Sequence, residues 1–166
     1  MELPTWARAV TLICPWVESI ADNWLRELPA LQHVFFADMS SLQTVGHRWM
    51  SECPSLVSVD FSGLPALTTV GRGWLSACPS LVSVDFRGLS SVRSVDTFWL
   101  YDCPRLTSPD FRGLSTIDTV GHGWMYQCPA LVAPTFSTRI RLEEVADKDI
   151  RDGLRLLTVG RTLLQY

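Results

Sequence analysis

The sequence predicts a repeat solenoid of the α/β type, in which stacked coils of about 25 residues place a parallel sheet on one face. Short helical turns and an irregular arc are expected opposite that sheet. Three columns of identical residues, each with a step of 25, carry this prediction: Trp24, Trp49, Trp74, Trp99 and Trp124; Cys53, Cys78, Cys103 and Cys128; and Leu31, Leu56, Leu81, Leu106 and Leu131. Such a period indicates stacking, because one coil cannot bury its apolar face alone.

The sheet is predicted from the segment between the leucine and the next glycine. Leu81, Val84 and Phe86 have the L-x-x-L-x-L spacing of a leucine-rich repeat. Val84 and Phe86 alternate with Ser83 and Asp85, and alternation of apolar and polar residues is the periodicity of a strand. Because the pattern recurs once per coil, we expect these strands to pair in parallel in one narrow sheet.

The opposite side of the coil is predicted from Leu89, Val92 and Val95, which recur at every third residue. This spacing suits either a second short strand or an irregular arc, and glycine pairs such as Gly71-x-Gly73 end it with a turn. The segment from Trp74 to Cys78 is too short for a stable helix and is interpreted as a single helical turn. The proline that follows the cysteine ends that turn.

Two regions are expected along the chain. Residues 1–138 are predicted to form the solenoid, with about six coils. Residues 139–166 are more highly charged and keep the repeat only faintly, so they are interpreted as a degenerate coil or a C-terminal cap, as is common at solenoid ends. The alternative for this segment is a docking tail for an assembly.

The pattern W-[L/M]-x-x-C-P-x-L-x-S-V-D-F resembles that of the BspA-like leucine-rich-repeat family, A-F-x-x-C-x-x-L-x-x-I-x-L-P followed by I-G. Val70-Gly71 and Val120-Gly121 match the I-G step. Trp stands in place of Ala-Phe, and Asp-Phe-x-Gly in place of Leu-Pro. The pattern is also similar to that of kinetoplastid repeat proteins. The resemblance implies a leucine-rich-repeat fold and, because family members are known as adhesion and surface proteins, a role in recognition.

Composition argues against several classes of protein. Net charge is −3 and no run of Lys or Arg occurs, so no nucleic-acid partner is expected. No apolar stretch approaches the ~20 residues of a membrane span, and the start of the chain lacks the basic region of a secretory signal. Five cysteines are an odd number, which disfavours a disulfide framework and favours a reducing intracellular location, in cytoplasm or organelle. The cell surface is the alternative.

Catalysis, cofactors and metals are not expected. No phosphate-binding or H-E-x-x-H motif is present. His33, His47 and His122 are scattered, no Ser/His/Asp or Cys/His set converges by register, and no histidine lies beside a cysteine to complete a zinc site. The cysteines are therefore interpreted as buried free thiols. The tryptophans are interpreted as a buried aromatic spine, with a surface for stacking sugars or nucleotides as the alternative.

The outward face of the predicted sheet supplies most of the candidate partner-binding residues. One column is acidic: Asp60, Asp85 and Asp110. Arg87 and Arg112 follow two residues later, and Ser58, Ser83 and Ser108 flank the column. The charges either neutralise each other or form a stripe that recognises Arg or Lys of a partner.

The same face becomes apolar toward the N-terminus. A step of 25 places Phe35 and then Val10 at the aspartate position, with His33 beside them. Because aromatic anchors are typical of interface centres, this patch is predicted to bind a partner, unless a local rearrangement buries Phe35. Trp6 is expected to be partly buried. The first coil lacks an obvious polar cap, so a protein partner, an oligomer mate or further residues of a longer chain are expected to cover the open N-terminal end.

These expectations favour a non-enzymatic protein–protein interaction module, acting as a scaffold or structural subunit of a larger intracellular assembly. The alternative is a cell-surface adhesion or recognition fragment, as the family resemblance implies.

Overall fold

The computed structural model describes residues 3–107, 109–117 and 119–132, and it confirms a repeat solenoid of stacked coils. The strands are β1 (Ala9–Ile13), β2 (Ser19–Ile20), β3 (His33–Asp38), β4 (Thr44–Val45), β5 (Ser58–Asp60), β6 (Thr69–Val70), β7 (Ser83–Asp85), β8 (Ser94–Val95) and β9 (Thr119–Val120). The cap predicted for residues 139–166 lies outside the described residues.

Two parallel sheets run along the stack. Sheet A has the order β1-β3-β5-β7, and an isolated bridge between Asp85 and Asp110 continues it by one coil. Sheet B has the order β2-β4-β6-β8-β9. The strand order follows the chain because each coil returns directly above the previous one. Of the two structures predicted opposite the first sheet, the second short strand is correct and the irregular arc is wrong.

The segment between each tryptophan and cysteine is not the predicted helical turn. Its backbone adopts the left-handed conformation at every second residue, with φ of 72° at Gly73, 54° at Leu75 and 52° at Ala77. The N–H groups of Gly73 and Ala77 donate to carbonyls of the following coil, while that of Leu75 donates to the preceding coil. Hydrogen bonds between coils thus replace the bonds that a helix would make within the segment.

In the part of the chain that the structure describes, thirteen residues other than glycine adopt this left-handed conformation: Asn23, Leu25, Glu27, Arg48, Met50, Glu52, Leu75, Ala77, Phe98, Leu100, Asp102, Met125 and Gln127. The conformation costs an L-residue about 1–2 kcal/mol, because Cβ approaches a carbonyl oxygen. It persists where the surrounding structure over-determines it. Here the determining contacts are the inter-coil hydrogen bonds, of which Leu75 N to Trp49 O at 3.1 Å is one.

Two columns of stacked rings fill the core. Neighbouring indoles of Trp49, Trp74, Trp99 and Trp124 have centroids 5.3–5.8 Å apart. Neighbouring rings of Phe36, Phe61, Phe86 and Phe111 are 5.1–5.7 Å apart. The columns meet largely edge to face. Since all these rings are buried, the aromatic spine is confirmed and the stacking surface is not formed.

The tryptophan column is held by packing. The Nε1 atoms of Trp49, Trp74 and Trp99 are buried with no hydrogen-bond acceptor among the described residues. A buried donor without an acceptor costs about 1–3 kcal/mol. The ring contacts and the apolar area removed from water must therefore outweigh that cost at every coil.

Residues that pair in sheet A differ by 25 in their numbers along most of the stack, but not at its start. From β3 onward sheet A pairs at a step of 25, as in Phe35 with Asp60. Between β1 and β3 the step is 24, because Val10 pairs with Val34 and Thr11 with Phe35. A bulge between Leu12 and Ile13 restores the difference of 25, because Ile13 pairs with Asp38. The second coil has Phe35 at the aspartate position, and β3 continues past it to Asp38.

The tryptophan column should dominate stability. Trp74→Ala is expected to lower the free energy of unfolding by about 3–5 kcal/mol, because it removes a fully buried ring between two indoles. Trp24→Ala should cost clearly less, since Trp24 is only half-buried at the end of the column. Urea denaturation of both variants measures the difference, and equal losses would contradict it.

The left-handed positions should tolerate glycine. Arg48 is exposed with φ of 55°, in the column that contains Gly73 and Gly123. Arg48→Gly is expected to leave the free energy of unfolding unchanged or raise it by up to about 1 kcal/mol, because strain is relieved. The matched control, exposed Arg93→Gly, should lower it by about 0.5–1 kcal/mol. The same melting temperature for both variants would argue against strain at Arg48.

Candidate interaction surface

The outward side of sheet A, here called the sheet A face, holds nine of the ten predicted site residues. Their shared feature is that each lies in, or within two residues of, a strand of sheet A or the Asp85–Asp110 bridge that continues it. They are His33, Phe35, Ser58, Asp60, Ser83, Asp85, Arg87, Asp110 and Arg112. Ser108, which was expected to flank the acidic column, lies outside the described residues.

Val10 is the exception, and its predicted place beside Phe35 is wrong. It pairs with the buried Val34 and is itself half-buried against the core. Thr11 takes the predicted position next to Phe35 instead. The error has a physical cause: β3 accommodates one extra residue at the bulge, so the columns shift by one between the first two coils.

The acidic column exists, and its first role is to shape the backbone. Asp60 pairs with Asp85, and Asp85 bridges to Asp110. In each case Oδ1 accepts a hydrogen bond from the backbone N–H two residues later, at 2.8 Å for Ser62 and 3.0 Å for both Arg87 and Arg112. These Asx turns end each strand. Gly88 then approaches the Phe61 carbonyl so closely that a Cβ would collide with it.

Two of the three carboxylates are neutralised within their own coil. Arg87 Nε lies 2.8 Å from Asp85 Oδ2, and Arg112 Nη2 lies 2.6 Å from Asp110 Oδ2. The hydrogen bonds from these arginines lower the pKa of Asp85 and Asp110. The arginine side chains are 70% and 62% exposed, so each pair adds little stability. Of the two alternatives for the charges, the geometry favours neutralisation at these coils.

Asp60 differs from the other two aspartates. The position two residues later is Ser62, so no guanidinium of its own coil neutralises its carboxylate. Phe35 is its neighbour across the strands and is 42% exposed, which removes the alternative of a buried Phe35. An exposed ring therefore lies beside a carboxylate that forms no ion pair within the described residues, although the Arg87 guanidinium of the next coil attracts it at longer range.

His33 and Ser58 complete this group, which we call the Phe35–Asp60 patch (His33, Phe35, Ser58 and Asp60). His33 Nδ1 lies 2.8 Å from Ser58 Oγ, and its ring stacks on Phe35 with centroids 6.4 Å apart. His33 and Ser58 therefore converge by register, as two members of a Ser/His/Asp set would. A nucleophilic serine also needs a group that orients the histidine. Within the described residues, the His33 imidazole hydrogen-bonds with Ser58 and stacks on Phe35.

The cysteine column has the predicted burial. All five cysteines are free, with Cys14 half-buried and the others buried. Each buried thiol donates to the carbonyl of the residue 28 positions earlier, as Cys78 does to Met50 at 3.3 Å. Burial raises the pKa of Cys53 and takes that of Cys78 to about 12. Among the described residues no group of three or more His, Cys, Asp or Glu could hold a metal ion.

Two surface features escaped the sequence reasoning. Trp6, Ile13 and Trp16 are 76%, 60% and 75% exposed in the first coil, so the prediction that Trp6 is partly buried is wrong. Aromatic residues also cluster on the left-handed segments that follow the strands of sheet B. Phe98 packs against Tyr101, His122 and the guanidinium of Arg72. Tyr101 in turn stacks on Tyr126. The sequence could have indicated this cluster, because Phe98 and Tyr101 stand at coil positions where other coils have Arg, Gly or Ser.

No protein-family model, curated protein or solved structure matches the chain. No helix among the described residues is long and apolar enough to cross a membrane.

The raised thiol pKa values predict a loss of stability in alkali. Because Cys78 holds its proton up to about pH 12 when folded, against 9.0 as its ordinary value, its contribution is complete below pH 9 and falls as the pH rises toward 12. Between these limits the free energy of unfolding should fall by up to about 1.4 kcal/mol per pH unit more steeply in the wild type than in Cys78→Ala. Urea denaturation across this range measures both slopes, and parallel slopes would refute the prediction.

Proposed function

We propose that the chain is a non-enzymatic protein-interaction module that binds a partner through the Phe35–Asp60 patch. The observation that carries the proposal is the exposed Phe35 ring beside the Asp60 carboxylate, which lacks the arginine present in the next two coils. Exposed aromatic residues are typical anchors of protein interfaces, and a rigid parallel sheet keeps the group in a fixed geometry.

The chemistry of the patch suits a basic partner segment. A carboxylate without an ion-pair partner attracts Arg or Lys, and an aromatic face next to it accepts the aliphatic stem or the cation itself. His33 and Ser58 add hydrogen-bonding groups on the same strands. The part of the acidic column at Asp85 and Asp110 contributes less, because its charge is already balanced.

The place of action and the family are part of the same proposal. We place the module in a reducing intracellular compartment, within a larger assembly, because the half-buried free thiol of Cys14 would be open to unwanted pairing in an oxidising one. The resemblance to BspA-like repeats is consistent with recognition as the role. A cell-surface adhesion fragment stays the alternative, and detection of the protein on intact cells would favour it.

Phe35→Asp is expected to abolish capture of the partner in a native pull-down analysed by mass spectrometry. The fold should survive, because the change extends the existing aspartate column by one residue, and repulsion between neighbouring carboxylates near the surface is about 1 kcal/mol. Circular dichroism and the melting temperature check this. Ser94→Asp, at an exposed position of sheet B, is the control and should retain the partner.

A pair of isosteric changes tests the charge. Asp60→Asn keeps an oxygen for the Ser62 hydrogen bond but removes the charge, so we expect affinity for the captured partner to fall about tenfold. Asp85→Asn is the matched control, because Arg87 already neutralises that carboxylate. If both variants bind like the wild type, the patch is not the recognition site.

A further inference from the structure

The first coil leaves one end of the solenoid open. Among residues 3–107, 109–117 and 119–132, β1 and β2 are each the first strand of their sheet, so each pairs on one side only. Leu12 and Leu25 of this coil are buried, but its other core residues are only partly buried: Leu3, Val10, Cys14, Val17, Ile20, Trp24 and Leu28. Their counterparts in the next coil, such as Val34 and Leu42, are completely buried. An element that covers this end would therefore bury apolar surface and pair two strand edges.

Trp6 and Trp16 overhang this end. The position of Trp16 in the coil is occupied later by Ser91, whose hydroxyl reaches back to the Pro65 carbonyl of the preceding coil at 2.8 Å. The position of Trp6, with the step of 24 that applies here, is occupied later by Ser55, whose hydroxyl reaches back to Pro29 at 2.6 Å. Side chains at both positions thus extend toward the preceding coil, and in the first coil they extend past the stack.

The free backbone groups of β1 belong to its odd-numbered residues. The Arg8 carbonyl accepts from His33 N, and Cys14 N donates to Asp38 O, so the even-numbered residues face β3. Because successive residues of a strand direct their N–H and C=O to opposite sides, Ala9, Thr11 and Ile13 face the open edge. Hydrogen-bonded pairing with another strand must use these three residues.

We propose that this end binds a second copy of the chain about a two-fold axis at Thr11, with the two β1 strands antiparallel. The placement of residues about Thr11 is self-complementary. Ala9 would pair with Ile13 of the other copy and Thr11 with Thr11, so every edge group meets an edge group. The same axis places the end of β1 that follows Trp6 beside the end of the other β1 that precedes Trp16.

The area available fits a dimer interface. An aromatic side chain of this size buries ~150–250 Å², and both indoles are about three-quarters exposed, so they supply a few hundred Å² per copy. The partly open core residues and Ile13 add to this. A stable interface needs roughly 800 Å² per partner. A two-fold contact also closes on itself, so that no exposed strand edge is left for open-ended association.

Sedimentation of the full chain across a concentration series tests the proposal, with the wild type expected to reach a closed dimer. Thr11→Pro removes an edge N–H without removing a bond to β3, and should weaken dimerisation about tenfold or more. Thr11→Val keeps the N–H and is the matched control. Trp16→Ser, which restores the side chain found in later coils, should weaken the dimer while leaving the melting temperature near that of the wild type.

Oxidative cross-linking tests the register. Thr11→Cys should give a covalent dimer with copper phenanthroline, because hydrogen-bonded antiparallel pairs have Cα atoms ~5.5 Å apart, within disulfide reach. Ala9→Cys alone should not, since its neighbour would be Ile13. A wild type that stays monomeric overturns the proposal. So does open-ended association, a dimer insensitive to Thr11→Pro and Trp16→Ser, or cross-linking through position 9 rather than 11.

Discussion

The stacking of identical side chains one coil apart is the constraint on which this molecule depends. Phe61 lies over Phe36 and Trp74 over Trp49, with ring centroids 5.3 and 5.6 Å apart. This repeat distance is set by the hydrogen-bonding distance of parallel strands and suits stacked rings equally well. Since both spacings agree, backbone pairing and ring packing stabilise the same register. Even the left-handed backbone of the tryptophan–cysteine segment follows from it, because that conformation directs N–H groups to neighbouring coils instead of into a helix.

The outward surface is simple wherever the repeat is regular. In the third to fifth coils the aspartate closes an Asx turn, and in the fourth and fifth an arginine two residues later neutralises it. Such a coil presents a hydrated, nearly neutral face. The second coil has Phe35 in place of the aspartate, and with it a longer strand, a bulge and an exposed ring. One departure from the repeat thus accounts for the shape and for the chemistry of the Phe35–Asp60 patch.

The same reasoning links the three unusual surfaces of the molecule. Each of them lies where a coil position changes from a small or polar residue to a large ring. They are Phe35, the exposed tryptophans of the first coil, and the aromatic residues around Phe98. A solenoid core tolerates little variation, because each buried side chain must fit the coils above and below it. Binding specificity is therefore concentrated at exposed positions, where one coil can change without disturbing the others. The patch lies one strand away from the open end, because Phe35 pairs with Thr11 of β1.

The sequence by itself determined the period, the strands of sheet A, the inward columns of Trp, Phe and Cys, and the outward position of the aspartates. These follow from residue type at a fixed spacing, since burial selects the same residue at every coil. Tertiary structure decided the rest. The step of 24 between β1 and β3 moved Val10 inward, because a bulge is a property of paired strands and leaves no mark in one of them. Likewise, the left-handed backbone after Trp74 is stable only through carbonyls of the adjacent coils, and the exposure of Trp6 depends on what packs against the first coil, which local sequence does not encode.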